Sequence, residues 1–459
     1  MTTKLQRRRL LQAGGAAASA WLGLQPTAAA STRPRAVLRT DPHGILDLHE
    51  GFSYRIVSRG GERMSDGYLT PLRPDAMAVF PGPTRDSLVL MRNHEIPGVR
   101  AWGPYAPDQA PAPEAYDPEG YGGVTRLVLD ADSLVVRRSH LALVGTHWNC
   151  AGGLSPWGWL SCEETFDARH GYVFVCSSSA DTLQPARRIP AYGHFRHEAA
   201  CVDPATHIAY LSEDREDSCL YRFVPNHRKQ PFEGKLQALA ITGKPNFDTN
   251  DLKPGQSAPV SWVDITQPDP TEDVLRFEGH AGGAARFVRG EGLWLSGGEL
   301  YLCATAGGPI GRGQIFRLQH RAQRLTLLTQ AEDAAVLDMP DNITVSPSGH
   351  VYVAEDGLQG NCVKHVTASG ELVELARCAL SLSEFAGPCF APDGKTLFVN
   401  LQGDALTLAI RGPFAELERS AAHGGSEQQP ATGYLGLGSG LAVLALAALA
   451  RRKRATSDE

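Results

Sequence analysis

The sequence has almost no surplus charge: 44 Lys and Arg stand against 50 Asp and Glu over 459 residues, a formal net charge of −6. A basic surface gripping nucleic acid through its phosphates is therefore excluded, and no nucleic-acid partner is expected. Charged residues make up only 20 % and apolar residues 42 %, far from the low-hydropathy, high-charge composition of disordered chains. Glycine and proline are what the chain has in excess, at 48 and 31 residues. Together they are about a sixth of the chain, against a usual share nearer ~12 %. So many turn formers argue against a helical bundle or coiled coil and for many short strands joined by tight turns.

Both ends speak of location. Arg7-Arg8-Arg9-Leu10-Leu11 leads into a weakly apolar Ala and Gly stretch and then Ala28-Ala29-Ala30-Ser31, so residues 1–30 read as a twin-arginine export signal. A general secretory signal is the alternative, and either carries the mature protein out of the cytoplasm. No cysteine follows the signal directly, which leaves a lipoprotein anchor without support. No charge occurs from Gln428 to Ala450, and Tyr434 to Ala450 is almost wholly apolar before Arg451-Arg452-Lys453-Arg454. Residues 434–454 are expected to form an apolar helix with a basic stop, anchoring the protein in the inner membrane, the apolar part from Tyr434 to Ala450 spanning ~26 Å, short but within the tolerated range. The basic run would stay cytoplasmic and the body would face the periplasm. A cleaved sorting signal is the other reading of this tail. Residues 421–433, polar and rich in small residues, read as a linker. The nine cysteines permit no assigned pairing: with one on a metal, eight remain, and these can pair in about 105 ways.

Between residues 31 and 420 one theme repeats: an apolar β-prone run, a turn and another run. Val124–Leu129 precedes Leu134–Val136, Ile208–Leu211 precedes Cys219–Phe223, and Leu300–Ala304 precedes Gln314–Leu318. Ser346-Pro347-Ser348-Gly349 and Pro392-Asp393-Gly394-Lys395 are turns between further strand pairs. The spacing predicts an all-β fold, a β-propeller of six blades, over a pair of sandwiches, because one closed ring suits a long stretch without a linker.

The chemistry concentrates at strand ends. Cys150 stands a short distance before Cys162-Glu163-Glu164, whose adjacent carboxylates repel unless a cation neutralises them. A thiolate favours a transition metal, and carboxylates suit calcium, magnesium or ferric iron. Taken alone, Cys150 reads sooner as a buried or disulfide-bonded residue than as a metal ligand. Further acids recur in matching contexts: Glu95 in Asn93-His94-Glu95, Glu198 in Arg196-His197-Glu198, Glu213-Asp214, Asp341-Asn342 and Glu355-Asp356. In a propeller such strand ends converge on the channel mouth, so the acids would gather into one multinuclear site. Arg289-Gly290-Glu291 adds a guanidinium whose fork matches two phosphate oxygens; a surface salt bridge between Arg289 and Glu291 is the competing reading.

Together these segments resemble the PhoX-type alkaline phosphatases. The matching pieces are Asn93-His94-Glu95, Asn149–Gly153 with Pro156-Trp157-Gly158, Cys162-Glu163-Glu164, His197-Glu198-Ala199, Arg289-Gly290-Glu291, Asp341-Asn342, Glu355-Asp356-Gly357, and Gly387-Pro388 with Ala391–Val399. The resemblance implies a six-bladed propeller holding Fe3+ and Ca2+. Cys150 would be the iron ligand, with Glu95, Glu163, Glu164, Glu198, Asp214, Glu291, Asp341 and Glu355 as acidic ligands. Arg289 would bind phosphate, and Arg289 and Glu291 would be the catalytic pair. Gly290 departs from the proline the family commonly places between them. The expected function is metal-dependent hydrolysis of a phosphorylated small molecule by a monomer. The alternative is a non-catalytic, calcium-binding propeller that binds a partner at the membrane; a calcium-dependent lactonase would need neither the thiolate nor the arginine.

Overall fold

The computed structural model describes residues 38–423. The signal of residues 1–30 and the anchor of residues 434–454 lie outside this range. Among the described residues no helix is long and apolar enough to cross a membrane.

The described strands form five sheets, paired antiparallel throughout and mostly between neighbours in sequence, in a propeller-like all-β arrangement. The first runs Pro74–Pro81, Ser87–His94, Gly122–Asp130, Val136–Thr146, and the second Asn149–Ser155, Gly158–Glu163, Val173–Cys176. The third has nine strands. It starts at His197–Val202, crosses at Ser257–Ile265, which pairs on both sides, and ends at Gly290–Ser296. The fourth begins at Pro340–Val345 and takes in the early strand Leu46–Leu48 at its outer edge. The fifth begins at Phe385–Phe390, and the early strand Ser53–Arg59 joins it by pairing with Leu406–Arg411. Each expected hairpin is present in this register.

The strands Pro74–Pro81, Asn149–Ser155, His197–Val202, Gly290–Ser296, Pro340–Val345 and Phe385–Phe390 contact one another in turn, and the last returns to the first. This closed ring lines an axis. Its members are buried along most of their length, which is why they read as runs of small and apolar residues and not as a clean alternation. Each also carries a shift of register near its N-terminal end, such as between Asn149 and Gly152 or between His197 and Ala200. A bulge there bends the strand and re-aims the side chain beside it.

The ring closes tightly because glycines face neighbouring backbone. A Cβ on Gly292 would stand 2.8 Å from the Asp341 carbonyl oxygen, and one on Gly153 would collide with the Ala200 carbonyl. Last among the described elements, the helix Phe414–His423 docks through Phe414 on the edges of Phe52 and Phe390, with ring centroids 4.9 and 5.0 Å apart. It runs through residues 421–423, the start of the stretch read as linker.

Gly153→Ala is expected to lower unfolding stability by roughly 1–3 kcal/mol or more, because rigid backbone must move to admit the methyl group. Urea denaturation checks this; an unchanged midpoint would show that the strands are not in close approach.

Candidate metal centre

The second residues of five ring strands are Asp75, Cys150, Glu198, Glu291 and Asp341; the sixth strand has Ala386 there. The shared bulges bring these positions to one end of the axis. A ligand atom of Cys150, Glu164 and Glu198 all lie within 4.8 Å of one another, as do those of Glu198, Glu291 and Asp341, and those of Asp341, Asp356 and Glu384. The sets share Glu198 and Asp341 and so form one continuous cluster. Most of its members are buried.

Adjacent acids separate because successive strand residues point to opposite faces. Glu163 turns away from the cluster: its carboxylate accepts from the amides of His147 at 2.9 Å and Gly171 at 2.8 Å and pairs with His170 Nδ1 at 2.6 Å. Glu213 takes the Cys219 amide and the Tyr221 hydroxyl. Glu355 takes the amides of Asp338 and Cys362 and pairs with Lys364 at 2.6 Å. In all three pairs the first acid ties the strand end to backbone amides at the start of the next strand. The second acid, Glu164, Asp214 or Asp356, goes to the axial side.

Three arginines border the cluster. Arg289 spans Asp214 with Nε at 2.7 Å and Nη2 at 3.1 Å, and its Nη2 also reaches Glu291 at 2.5 Å. This pair is buried, so it is not a surface salt bridge. Arg289 holds a left-handed backbone, φ 56°, fixed by its amide donating to Arg215 and its carbonyl accepting from Thr305. Gly290 donates its amide to Ser218 Oγ at 3.3 Å, a bond proline could not make. Arg196 pairs with Glu164. Arg73 pairs with Glu95 at 2.8 Å and with Gln402, whose amide bridges Glu95 and Asp75.

These cations do not balance the acids. Burial, then the charges of Glu164, Asp341, Asp75 and Asp214, push Glu198 well above the ordinary carboxylate range. Burial, then Asp341, Glu198 and Asp214, push Glu291 up despite Arg289. Burial and the neighbouring Glu198 and Glu164 raise the Cys150 thiol. Burial would raise Asp214 too, but the Arg289 charge and hydrogen bonds outweigh it and hold that carboxyl well below its usual range. Sharing of ligand atoms among crowded, buried carboxylates and a thiol fits multivalent cations, which would remove the repulsion.

Of the residues singled out from sequence, Cys150, Glu164, Glu198, Glu291 and Asp341 come together, with Asp214 and Arg289 bonded alongside. Glu95 stands behind them, linked through Gln402 to Asp75. Glu163 and Glu355 are bound elsewhere. Asp356, Glu384, Asp75, Arg73 and Arg196 are additions that sequence reasoning did not assign; Asp356 was visible only as the neighbour of Glu355, and Asp75 as the start of an apolar strand.

A family model described as alkaline phosphatase PhoX matches residues 35–404. The chain is similar in fold to Pseudomonas fluorescens PhoX in complex with vanadate, a transition-state analogue, at 17 % identity and a TM-score of 0.65, covering 82 % of this chain and 97 % of that one. A gluconolactonase from Xanthomonas campestris aligns at 12 % identity and a TM-score of 0.42, covering 82 % and 94 %. No curated protein matches the sequence.

Stripping cations should cost more stability at high pH. Raised folded-state pKa values mean that ionising Glu198 and Glu291 is penalised in the fold, so this contribution is lost as pH climbs above the unfolded carboxylate value of ~4.3. The gap in melting temperature between metal-loaded and chelator-treated protein is expected to widen from pH 5 to pH 8; a gap independent of pH would contradict a cation-balanced cluster.

Proposed function

The chain belongs to the alkaline phosphatase PhoX family, and we propose that it hydrolyses phosphoesters at the cluster of Cys150, Glu164, Glu198, Glu291 and Asp341 through iron and calcium held there. Family membership makes it a metal-dependent phosphoester hydrolase; the choice of metals, the residue roles and the location are our reading. The single observation that carries this reading is the continuous set of buried ligand atoms with Arg289 fixed beside it.

Cys150 with Glu164 and Glu198 is the set suited to iron, because it alone contains a soft sulfur donor. The all-carboxylate sets of Glu198, Glu291 and Asp341, and of Asp341, Asp356 and Glu384, suit calcium. When bound, these cations supply charge to the phosphate and lower the pKa of the attacking water. Asp214 and Glu291 hold the Arg289 guanidinium in one plane through its Nε and Nη2, so that the donors left over meet the equatorial oxygens of the transferring group without reorganising. Glu291 thus serves twice, as a cluster ligand and as the brace of Arg289. Burial of the acids keeps water from screening these charges.

The ring of inner strands favours six blades, the nine-stranded sheet counting as two joined through Ser257–Ile265. The substrate is a phosphorylated small molecule and the protein acts as a monomer. We place it in the periplasm, exported by the twin-arginine route and tethered to the inner membrane by residues 434–454, because the two ends of the sequence agree on that orientation. All nine cysteines are free thiols in the fold. Such a chain gains from folding before export, since Cys150 can then meet iron while still reduced.

The reading is tested with p-nitrophenyl phosphate. Cys150→Ser is expected to lose iron and lower turnover at least ~100-fold while the fold survives. Arg289→Ala is expected to keep its metals and lower turnover ~100- to 1,000-fold. Full turnover in Cys150→Ser, with calcium the only metal, would leave a calcium-binding propeller without the iron chemistry proposed.

A further inference from the structure

Arg289 is not the only guanidinium at this end of the axis. Arg196 immediately precedes His197-Glu198, and its carbonyl accepts the Asp214 amide at 3.3 Å, which pins its backbone to the strand end that carries Asp214. Its Nη2 pairs with Glu164 and its Nε reaches the Glu164 carbonyl at 3.4 Å, while its Nη1 bonds to nothing among the described residues. The side chain is 30 % exposed, against 12 % for Arg289, so it borders solvent where Arg289 is enclosed.

Resting on the reading of this cluster as a phosphoester hydrolase, we propose that Arg196 is a second phosphate-binding guanidinium, set on the solvent side of Glu164 and Asp214 with Arg289 on their inner side. The bland account is that Arg196 only neutralises Glu164. That account leaves a donor unused, and it asks Arg196 to neutralise a carboxylate that also belongs to the Cys150–Glu198 ligand set. A cation on that set would satisfy Glu164 by itself, leaving the Arg196 charge surplus at the mouth. Arg196 holds Glu164 and Arg289 holds Asp214, two acids on the axial side, so both guanidinium charges border the same cluster. A phosphoryl group, with several anionic oxygens, offsets both charges and accepts from the donors that Glu164, Asp214 and Glu291 leave over.

The test compares metal-loaded wild type, Arg196→Lys and Arg196→Gln by metal content, by calorimetric titration with inorganic phosphate and by p-nitrophenyl phosphate kinetics. Arg196→Gln is expected to keep its metals and bind phosphate about ten- to a hundredfold more weakly, with KM rising in step. Arg196→Lys should recover part of that binding, since the charge returns without the fork. Unchanged phosphate affinity in Arg196→Gln, or a loss of affinity that merely follows loss of metal, would overturn the proposal and leave Arg196 as the partner of Glu164. Failure of the wild type itself to bind phosphate or turn over would overturn the reading of the site along with it.

Discussion

Mutual repulsion among buried acids at one end of the axis is the constraint on which the rest of the structure depends. Glu198 and Glu291 are each about 3 % exposed; Glu198 feels the charges of Glu164 and Asp341, and Glu291 those of Asp341 and Glu198. Two unit charges a few ångströms apart cost several kcal/mol even at an effective dielectric constant near 20. A fold that keeps such a cluster without enough arginine to balance it is built around cations. The arginines that are present reinforce this view, because Arg289, Arg196 and Arg73 lie at the edge of the cluster, each anchored to an acid.

The β architecture delivers the acids with economy. One bulge, repeated near the start of each inner strand, aims the second residue of the strand at the axis, and five of those six positions carry an acid or a thiol. The outer partner strands supply a second tier through the last acid of each adjacent pair. Glycines such as Gly153 and Gly292 let neighbouring strands approach until ligands from different sheets share one volume. Activity, on this view, is a property of ring closure: Cys150 and Glu198 come from different sheets and meet only because those sheets pack edge to edge.

Much of this was legible in the sequence. The rhythm of apolar run, turn and apolar run pointed to an all-β propeller-like fold, since short hairpins leave a period that local composition reveals. Cys150, Glu164, Glu198, Glu291 and Asp341 stood out because acids at the ends of apolar strands are conspicuous. Which member of an adjacent pair faces the axis was not legible: Glu163 and Glu355 look like Glu164 and Asp356 until a bulge fixes the phase of the strand. Asp75 and Glu384 escaped notice because each is a single acid, and their place in the site depends on contacts between sheets far apart in sequence. Arg196 was in view as a neighbour of Glu198, but its relation to Glu164 and Asp214 exists only in three dimensions.

The most direct test of the central claim is elemental analysis of the folded protein purified after export, without added metal. The account predicts iron together with calcium, retained through dialysis and released together with secondary structure intact or weakened by a strong chelator. Calcium alone, or no bound metal in a folded and active protein, would contradict the claim that the buried thiol and carboxylates exist to hold a mixed cation cluster.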